Sequence, residues 1–162
     1  MKNLLLRVLY FVHKSIISIM NRNALLNCHF QVEWGGTNLG FMEVSGLEIN
    51  YDVVEDREGS SPEYSSQKMP GRPHYSNIVL KRGITAGDNE FYKWINTIKL
   101  NTAERRDITI SLLDEEHKPV IVWKVKNAFP VKLTGPLLNA SASEIALETI
   151  ELAHEGLTII NE

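Results

Sequence analysis

The sequence contains little cysteine, no surplus of positive charge and no long uninterrupted apolar run. Its single cysteine, Cys28, cannot form a disulfide within the chain, and we interpret it as a small buried hydrophobic residue. The 17 basic and 20 acidic residues give a net charge of −3, which disfavours general binding to a nucleic-acid backbone. Because 43% of the 162 residues are hydrophobic, one globular domain can fold without disulfides or metal.

Catalytic and metal-binding motifs are also missing from the sequence. No two of the five histidines lie three to five residues apart, and no cysteine pair accompanies them, so a local zinc motif is absent. There is no G-x-S-x-G nucleophile motif, and the glycines at positions 83 and 87 lack the Gly-Lys-Ser/Thr ending of a P-loop. We therefore expect no enzyme activity, no metal and no cofactor.

Residues 1–28 differ from the rest of the chain and form an N-terminal lead. Apolar residues recur at helical spacing within 1–19, but Arg7 and Lys14 interrupt them, so no run approaches the roughly 20 apolar residues of a membrane-spanning helix. No small-residue cleavage pattern of a signal peptide follows. Three interpretations stay open: a disordered or wrongly assigned start, an amphipathic arm, and a targeting segment. A native chain that begins at Met20 would support the first.

Beyond the lead, apolar and polar residues alternate in a way that predicts β-strands. Such alternation places one face of each strand against a core and the other in water. The predicted strands cover residues 30–34, 38–44, 47–53, 77–81, 108–112, 120–125 and 145–153. In the strand 47–53, we expect the apolar face to join the core. A change of phase between Leu147 and Ile150 predicts a bulge in the last strand.

Two segments depart from this alternation. Residues 56–74 contain three prolines, two glycines and four serines, which predicts a long loop, and loops of this length usually carry function or are disordered. From about 88 to 100, apolar residues recur at helical spacing after Asp88, a residue that can cap a helix. The sequence therefore predicts a mainly β fold, an antiparallel β-sandwich or barrel, with one α-helix at about 88–100.

Nine segments resemble, in the same order along the chain, the tail-tube protein family of T4-like phages and of phage-derived injection systems. These segments are FQVEWGG (30–36), GFMEVSGL (40–47), REGSSPEY (57–64), KMPG (68–71), NIVLKRG (77–83), DNEF (88–91), RRDITISL (105–112), WKVKNA (123–128) and ETIELAHEGL (148–157). The resemblance defines a tail-tube domain at 29–160. It implies two packed antiparallel sheets and a helix, in subunits that form hexameric rings.

The resemblance also implies a function and a set of partners. The chain would be a structural subunit of the inner tube of a contractile phage tail or injection system, in which stacked rings form a hollow conduit for DNA or protein effectors. Its partners would be copies of itself, a sheath protein, and baseplate and tail-terminator proteins, without stable membrane integration. Assembly would occur in the bacterial cytoplasm, and the product would be a virion tail or a released particle. A tube-initiating subunit at the baseplate and a type VI-like ring-forming secreted carrier remain alternatives.

Two groups of residues are candidates for roles in such a tube. In and beside the predicted loop, rigid or apolar residues could anchor a neighbouring subunit: Pro62, Tyr64, Met69, Pro70 and Tyr75. On the polar face of the strand 47–53, three residues could face the lumen: Glu48, Asn50 and Asp52. A lumen wall without a basic surplus suits cargo passage, because strong positive charge would retain DNA.

Overall fold

The computed structural model describes residues 25–35, 37–56, 66–141 and 143–161. This part of the chain is mainly β, as predicted, and contains one short helix. Its elements are β1 (Phe30–Trp34), β2 (Thr37–Leu39), β3 (Glu43–Ser45), β4 (Ile49–Asp56), β5 (Gln67–Tyr75), β6 (Ile78–Gly83), α1 (Glu90–Ile95), β7 (Arg106–Leu113), β8 (Pro119–Thr134), β9 (Leu147–Ala153) and β10 (Gly156–Asn161).

Eight of the strands form two antiparallel layers that share the 16-residue strand β8. The first half of β8 pairs with β7 and β10, and β1 and β2 continue this layer beyond β7. The second half pairs with β9, which continues to β6 and β3. β8 passes from one layer to the other between Ala128, which pairs with β7, and Phe129, which pairs with β9. Its register shifts on both sides of this point, between Val125 and Ala128 against β7 and between Pro130 and Lys132 against β9, and such bulges bend a strand.

Two strand predictions need correction. The predicted strand 38–44 is split into β2 and β3, which belong to different layers. The bulge predicted between Leu147 and Ile150 is wrong, because β9 pairs with β6 without a shift along its whole length. The irregularity lies instead in the neighbouring strand, where Pro130 cannot donate a backbone hydrogen bond.

An aromatic cluster fills the core beside the helix. Trp34 is 1% exposed, and its ring lies 4.3 Å from that of Trp94 and 5.3 Å from that of Phe91. The helix is shorter than predicted, because it ends at Ile95 rather than near residue 100. Leu100 has a positive φ of 44°, which a right-handed helix does not accommodate.

A buried arginine connects the helix to the second layer. Arg82 on β6 is 4% exposed, and its guanidinium donates to Asp88 at 2.9 Å and to Glu148 of β9 at 2.7 Å. Asp88 also accepts a 3.0 Å hydrogen bond from the N–H of Glu90, in the first turn of α1. The N-cap residue itself is Asn89, so the predicted cap, Asp88, lies one residue before it. The N–H of Glu90 and the Arg82 guanidinium stabilise the carboxylate and lower the pKa of Asp88.

Strands β4 and β5 form an antiparallel two-stranded ribbon, and neither pairs with a third strand among the residues that the structure describes. The loop prediction for 56–74 is therefore wrong at Asp56, which ends β4, and at 67–74, which belong to β5. Residues 57–65 of that predicted loop lie outside the described residues. Prolines are tolerated in a ribbon of this kind because each strand has an edge that needs no hydrogen-bond donors.

Candidate assembly surface

One face of the β4–β5 ribbon is apolar and open to solvent. Ile49, Tyr51 and Val53 alternate along β4 and are 39%, 61% and 63% exposed. Pro73 and Pro70 lie opposite Tyr51 and Val53 on β5. The prediction that the apolar face of 47–53 joins the core is confirmed only at Leu47, which packs against the core. It is wrong for Ile49, Tyr51 and Val53, because the ribbon forms a sheet separate from the sandwich layers.

The opposite face becomes apolar towards the far end of the ribbon. Val54 and Met69 are register partners there, and they are 50% and 46% exposed. A two-stranded ribbon alone is at best marginally stable in water, and monomeric proteins seldom expose contiguous apolar patches of this kind. The ribbon therefore has the properties of an interaction surface.

The near end of that opposite face is polar and carries the three predicted lumen residues. The Ser76 hydroxyl donates to Glu48 at 2.9 Å and lies 3.5 Å from the Asn50 amide nitrogen. His74 Nε2 lies 2.8 Å from an Asp52 carboxylate oxygen. The structure thus brings Glu48, Asn50 and Asp52 together on one exposed side of the ribbon.

The predicted interface residues have different environments. Met69 and Pro70 are exposed on β5. Tyr75 is half-buried at the base of the ribbon, where it packs against the core and its ring lies 5.4 Å from that of His154. Pro62 and Tyr64 lie outside the described residues. Tyr75 is therefore placed to hold the ribbon to its own subunit, while Met69 and Pro70 are available to a neighbour.

Two glycines allow close backbone contacts in and beside the ribbon, a role that their sequence context does not indicate. Gly46, just before β4, has a φ of +85°, and a Cβ there would lie 2.0 Å from the Asn77 carbonyl oxygen. Gly71 lies where the β4–β5 register shifts, and its Cβ would lie 2.9 Å from that of Asp52. Larger residues at these positions would displace the ribbon backbone.

The described residues carry no feature that points to metal chemistry. No group of three or more histidine, cysteine, aspartate and glutamate side chains among them could hold a metal ion. No helix within the same residues is long and apolar enough to cross a membrane. Cys28 is exposed, so its interpretation as a buried residue is wrong.

Comparisons with known proteins identify the family. The family model for the T4-like virus tail tube protein gp19 matches residues 26–158. A chain in the sheath–tube complex of the extracellular contractile injection system PVC in its extended state is 36% identical, with a TM-score of 0.82, over 90% of this chain and 97% of that one. A chain in the tube-terminating cap of the anti-feeding prophage is 38% identical, with a TM-score of 0.82, over 87% and 93%.

A more distant structure shares the fold alone. Hcp1 from Flavobacterium johnsoniae is 15% identical, with a TM-score of 0.55, over 83% of this chain and 96% of that one. A search of curated proteins found no significant match. The family match covers most of the chain, and the two contractile-system chains match it over nearly their whole length. The chain therefore belongs to the T4-like virus tail tube protein family and is a tube protein of the contractile injection type.

Proposed function

We propose that this chain forms hexameric rings through its β4–β5 ribbon and that the stacked rings make the inner tube of a contractile phage tail or injection system. The observation that carries the proposal is the exposed apolar face of the ribbon, above all Tyr51 and Val53. A neighbouring copy that covers this face removes it from water, which favours association. The tail-tube domain at 29–160 is the assembling unit.

Ring closure would also pair the open edges of the ribbon with strands of neighbouring copies. Unpaired N–H and C=O groups along a strand edge favour pairing with another strand, and a closed barrel leaves no such edge. The edges of β4 and β5 that lack a described partner are available for this pairing. Met69 and Pro70 would then lie at the contact, together with Pro62 and Tyr64.

The polar end of the ribbon is the proposed lumen wall. Glu48, Asn50 and Asp52 are exposed and non-basic, which suits a surface along which DNA or a protein effector slides without being retained. A tube map in which lysine and arginine line the lumen would contradict this assignment.

The proposal includes further partners and a location. A sheath would surround the tube, as the sheath–tube complex of a 36% identical chain supports. Baseplate and terminator proteins would hold the two ends. The subunit would act as structure and not as an enzyme, would assemble in the bacterial cytoplasm, and would end in a virion tail or a released particle. The similarity to a chain in a tube-terminating cap favours, as a second candidate, a position at a tube end.

A ribbon variant tests the proposal. We expect the double substitution Tyr51→Ser and Val53→Ser to leave a folded subunit, because both side chains are more than half exposed, but to abolish tubes in negative-stain electron microscopy. The matched control is Tyr92→Ser on α1, which is also 61% exposed and should still form tubes. Tubes of normal length from the ribbon variant would refute the proposal. Isolated rings or very short tubes from the wild-type chain would favour the carrier or tube-end alternatives.

A further inference from the structure

The turn after the helix presents a strained and fully exposed leucine. Lys99 and Thr102 exchange two backbone hydrogen bonds of 2.9 and 2.8 Å around Leu100 and Asn101. Both central residues have positive φ, 44° and 68°, as in a type I′ turn. Glycine and asparagine adopt positive φ readily, whereas a leucine that adopts it raises the free energy of the fold. Leu100 is nevertheless the first of the two central residues and is 98% exposed.

Lys99 places a positive charge directly before this leucine. Lys99 is exposed and makes no ion pair within the described part of the chain. Residues with strained backbone conformations are concentrated at functional sites. We name the turn of residues 99–102 the knob.

A small apolar cavity with an acidic rim lies elsewhere on the subunit. Its volume is about 280 Å³, equal to roughly nine waters of liquid and so sufficient for a leucine side chain. We name this cavity the socket, and its lining residues are Leu25, Leu26, His29, Leu113, Asp114, Glu115 and Glu116.

The acidic rim has one carboxylate that remains available. The Asp114 carboxylate accepts hydrogen bonds from the backbone N–H groups of Glu116 and Lys118. The Lys118 ammonium pairs with Glu116 at 2.6 Å. Glu115 makes no ion pair among the described residues and is exposed. The rim therefore keeps an excess of negative charge that complements the knob.

The knob and the socket lie at opposite ends of one strand. The knob precedes β7, and the Trp94 indole N–H holds the intervening chain through a 2.9 Å hydrogen bond to the Glu104 carbonyl. The socket follows β7, because Leu113 is its last residue. The eight residues of β7 span roughly 27 Å. Complementary surfaces at opposite ends of a subunit make head-to-tail contacts that repeat along an axis.

We infer that the knob of one copy of this chain enters the socket of the next copy along the tube. Leu100 fills the apolar cavity, and Lys99 lies beside Glu115 at its rim. The contact joins successive rings, whereas the ribbon joins the subunits of one ring, and this inference rests on the proposed function. The second copy is the occupant because the charge and the apolar character of the two surfaces match.

Charge reversal with rescue tests the pairing. We expect Lys99→Glu and Glu115→Lys each to raise the subunit concentration needed for tube formation about tenfold, since like charges then meet at every ring contact. The double variant should return to within about threefold of wild type. The matched control, Lys93→Glu, reverses an exposed lysine outside the knob and should change little. Single variants without effect, or a double variant without rescue, would overturn the inference.

The strained leucine gives a second test that separates folding from assembly. We expect Leu100→Asn to raise the melting temperature of the subunit by about 2 °C, because asparagine accepts positive φ, while tubes shorten at least about threefold. Normal tubes from this variant would overturn the inference. If the ribbon variant abolishes tubes while the knob and socket variants do not, the proposed function stands and this inference fails.

The exposed Cys28, which directly precedes the socket residue His29 in the chain, allows a direct contact test. Tubes assembled from equal amounts of wild type and Leu100→Cys should form intermolecular disulfides to Cys28 on oxidation, seen as a ladder on a non-reducing gel. The ladder should vanish in a Cys28→Ser background and should not form with Tyr92→Cys. Intact tubes without a ladder would overturn the inference.

Discussion

The sandwich strands and the β4–β5 ribbon share the same alternation of apolar and polar residues, but the apolar face is buried in the sandwich and exposed in the ribbon. In the sandwich, Val32 and Trp34 alternate along β1 and are each 1% exposed, because a second layer and a helix cover the apolar face. In the ribbon, Tyr51 and Val53 are 61% and 63% exposed, because no layer formed by the described residues covers them.

The difference shows that alternation defines which face of a strand is apolar but not what covers it. The sandwich supplies its own cover and accounts for the stability of the subunit. The ribbon depends, in our proposal, on a cover from another copy. Substitutions in the sandwich should therefore lower the free energy of unfolding, whereas substitutions in the ribbon should alter assembly and leave unfolding nearly unchanged.

The largest effect is expected in the aromatic core. Trp34→Ala should reduce the free energy of unfolding by about 3–5 kcal/mol, because it leaves a cavity among Phe91, Trp94 and Phe41. Urea unfolding followed by circular dichroism measures this loss. The control Tyr92→Ala, at an exposed position on α1, should change the free energy of unfolding by less than about 0.5 kcal/mol. Equal losses in the two variants would contradict the division between core and surface.

A slightly smaller effect is expected at the buried arginine. Arg82→Met should lower the free energy of unfolding by about 3 kcal/mol. The reason is that Asp88 and Glu148 lose their partner while their side chains are only 29% and 18% exposed. The matched control is Lys81→Met, the neighbouring residue, whose partner Glu43 is 54% exposed. It should cost at most about 1 kcal/mol. A similar cost for both variants would show that burial of the ion pair is unimportant.

Acid should reduce the stabilisation by the Arg82–Asp88 ion pair, with a smaller effect than the Arg82→Met substitution. The pKa of Asp88 is lowered in the folded state, so its carboxylate adds stability above its ordinary value of 3.8 and loses that contribution as pH falls through the folded value. In Asp88→Asn this part of the acid dependence should be missing. Unfolding in urea at about pH 7 and pH 3 measures the difference. Identical pH dependence in the two proteins would refute the assignment.

Several elements of the fold were predictable because local pattern decides them. Strand β1 follows from the alternation at Val32 and Trp34, and the helix follows from the helical spacing of apolar residues after Asp88. Strand β5 was missed because Pro70, Gly71 and Pro73 give it the composition of a loop, and only pairing with β4 makes it a strand.

Other features depend on contacts that no local pattern reveals. Arg82 gave no signal in the sequence, because its two carboxylate partners are brought to it by the fold. The exposure of the ribbon could not be predicted either, since alternation alone does not show whether a second layer exists. The function came from the resemblance, while the structure identified the surface through which we propose that it acts.

The most direct test of this account is a cryo-electron microscopy map of the purified chain in its assembled form. The account predicts a hollow tube of six-fold rings in which a neighbouring copy covers Tyr51 and Val53 of each ribbon. Monomers only, or a tube in which that face of the ribbon remains open to solvent, would contradict it.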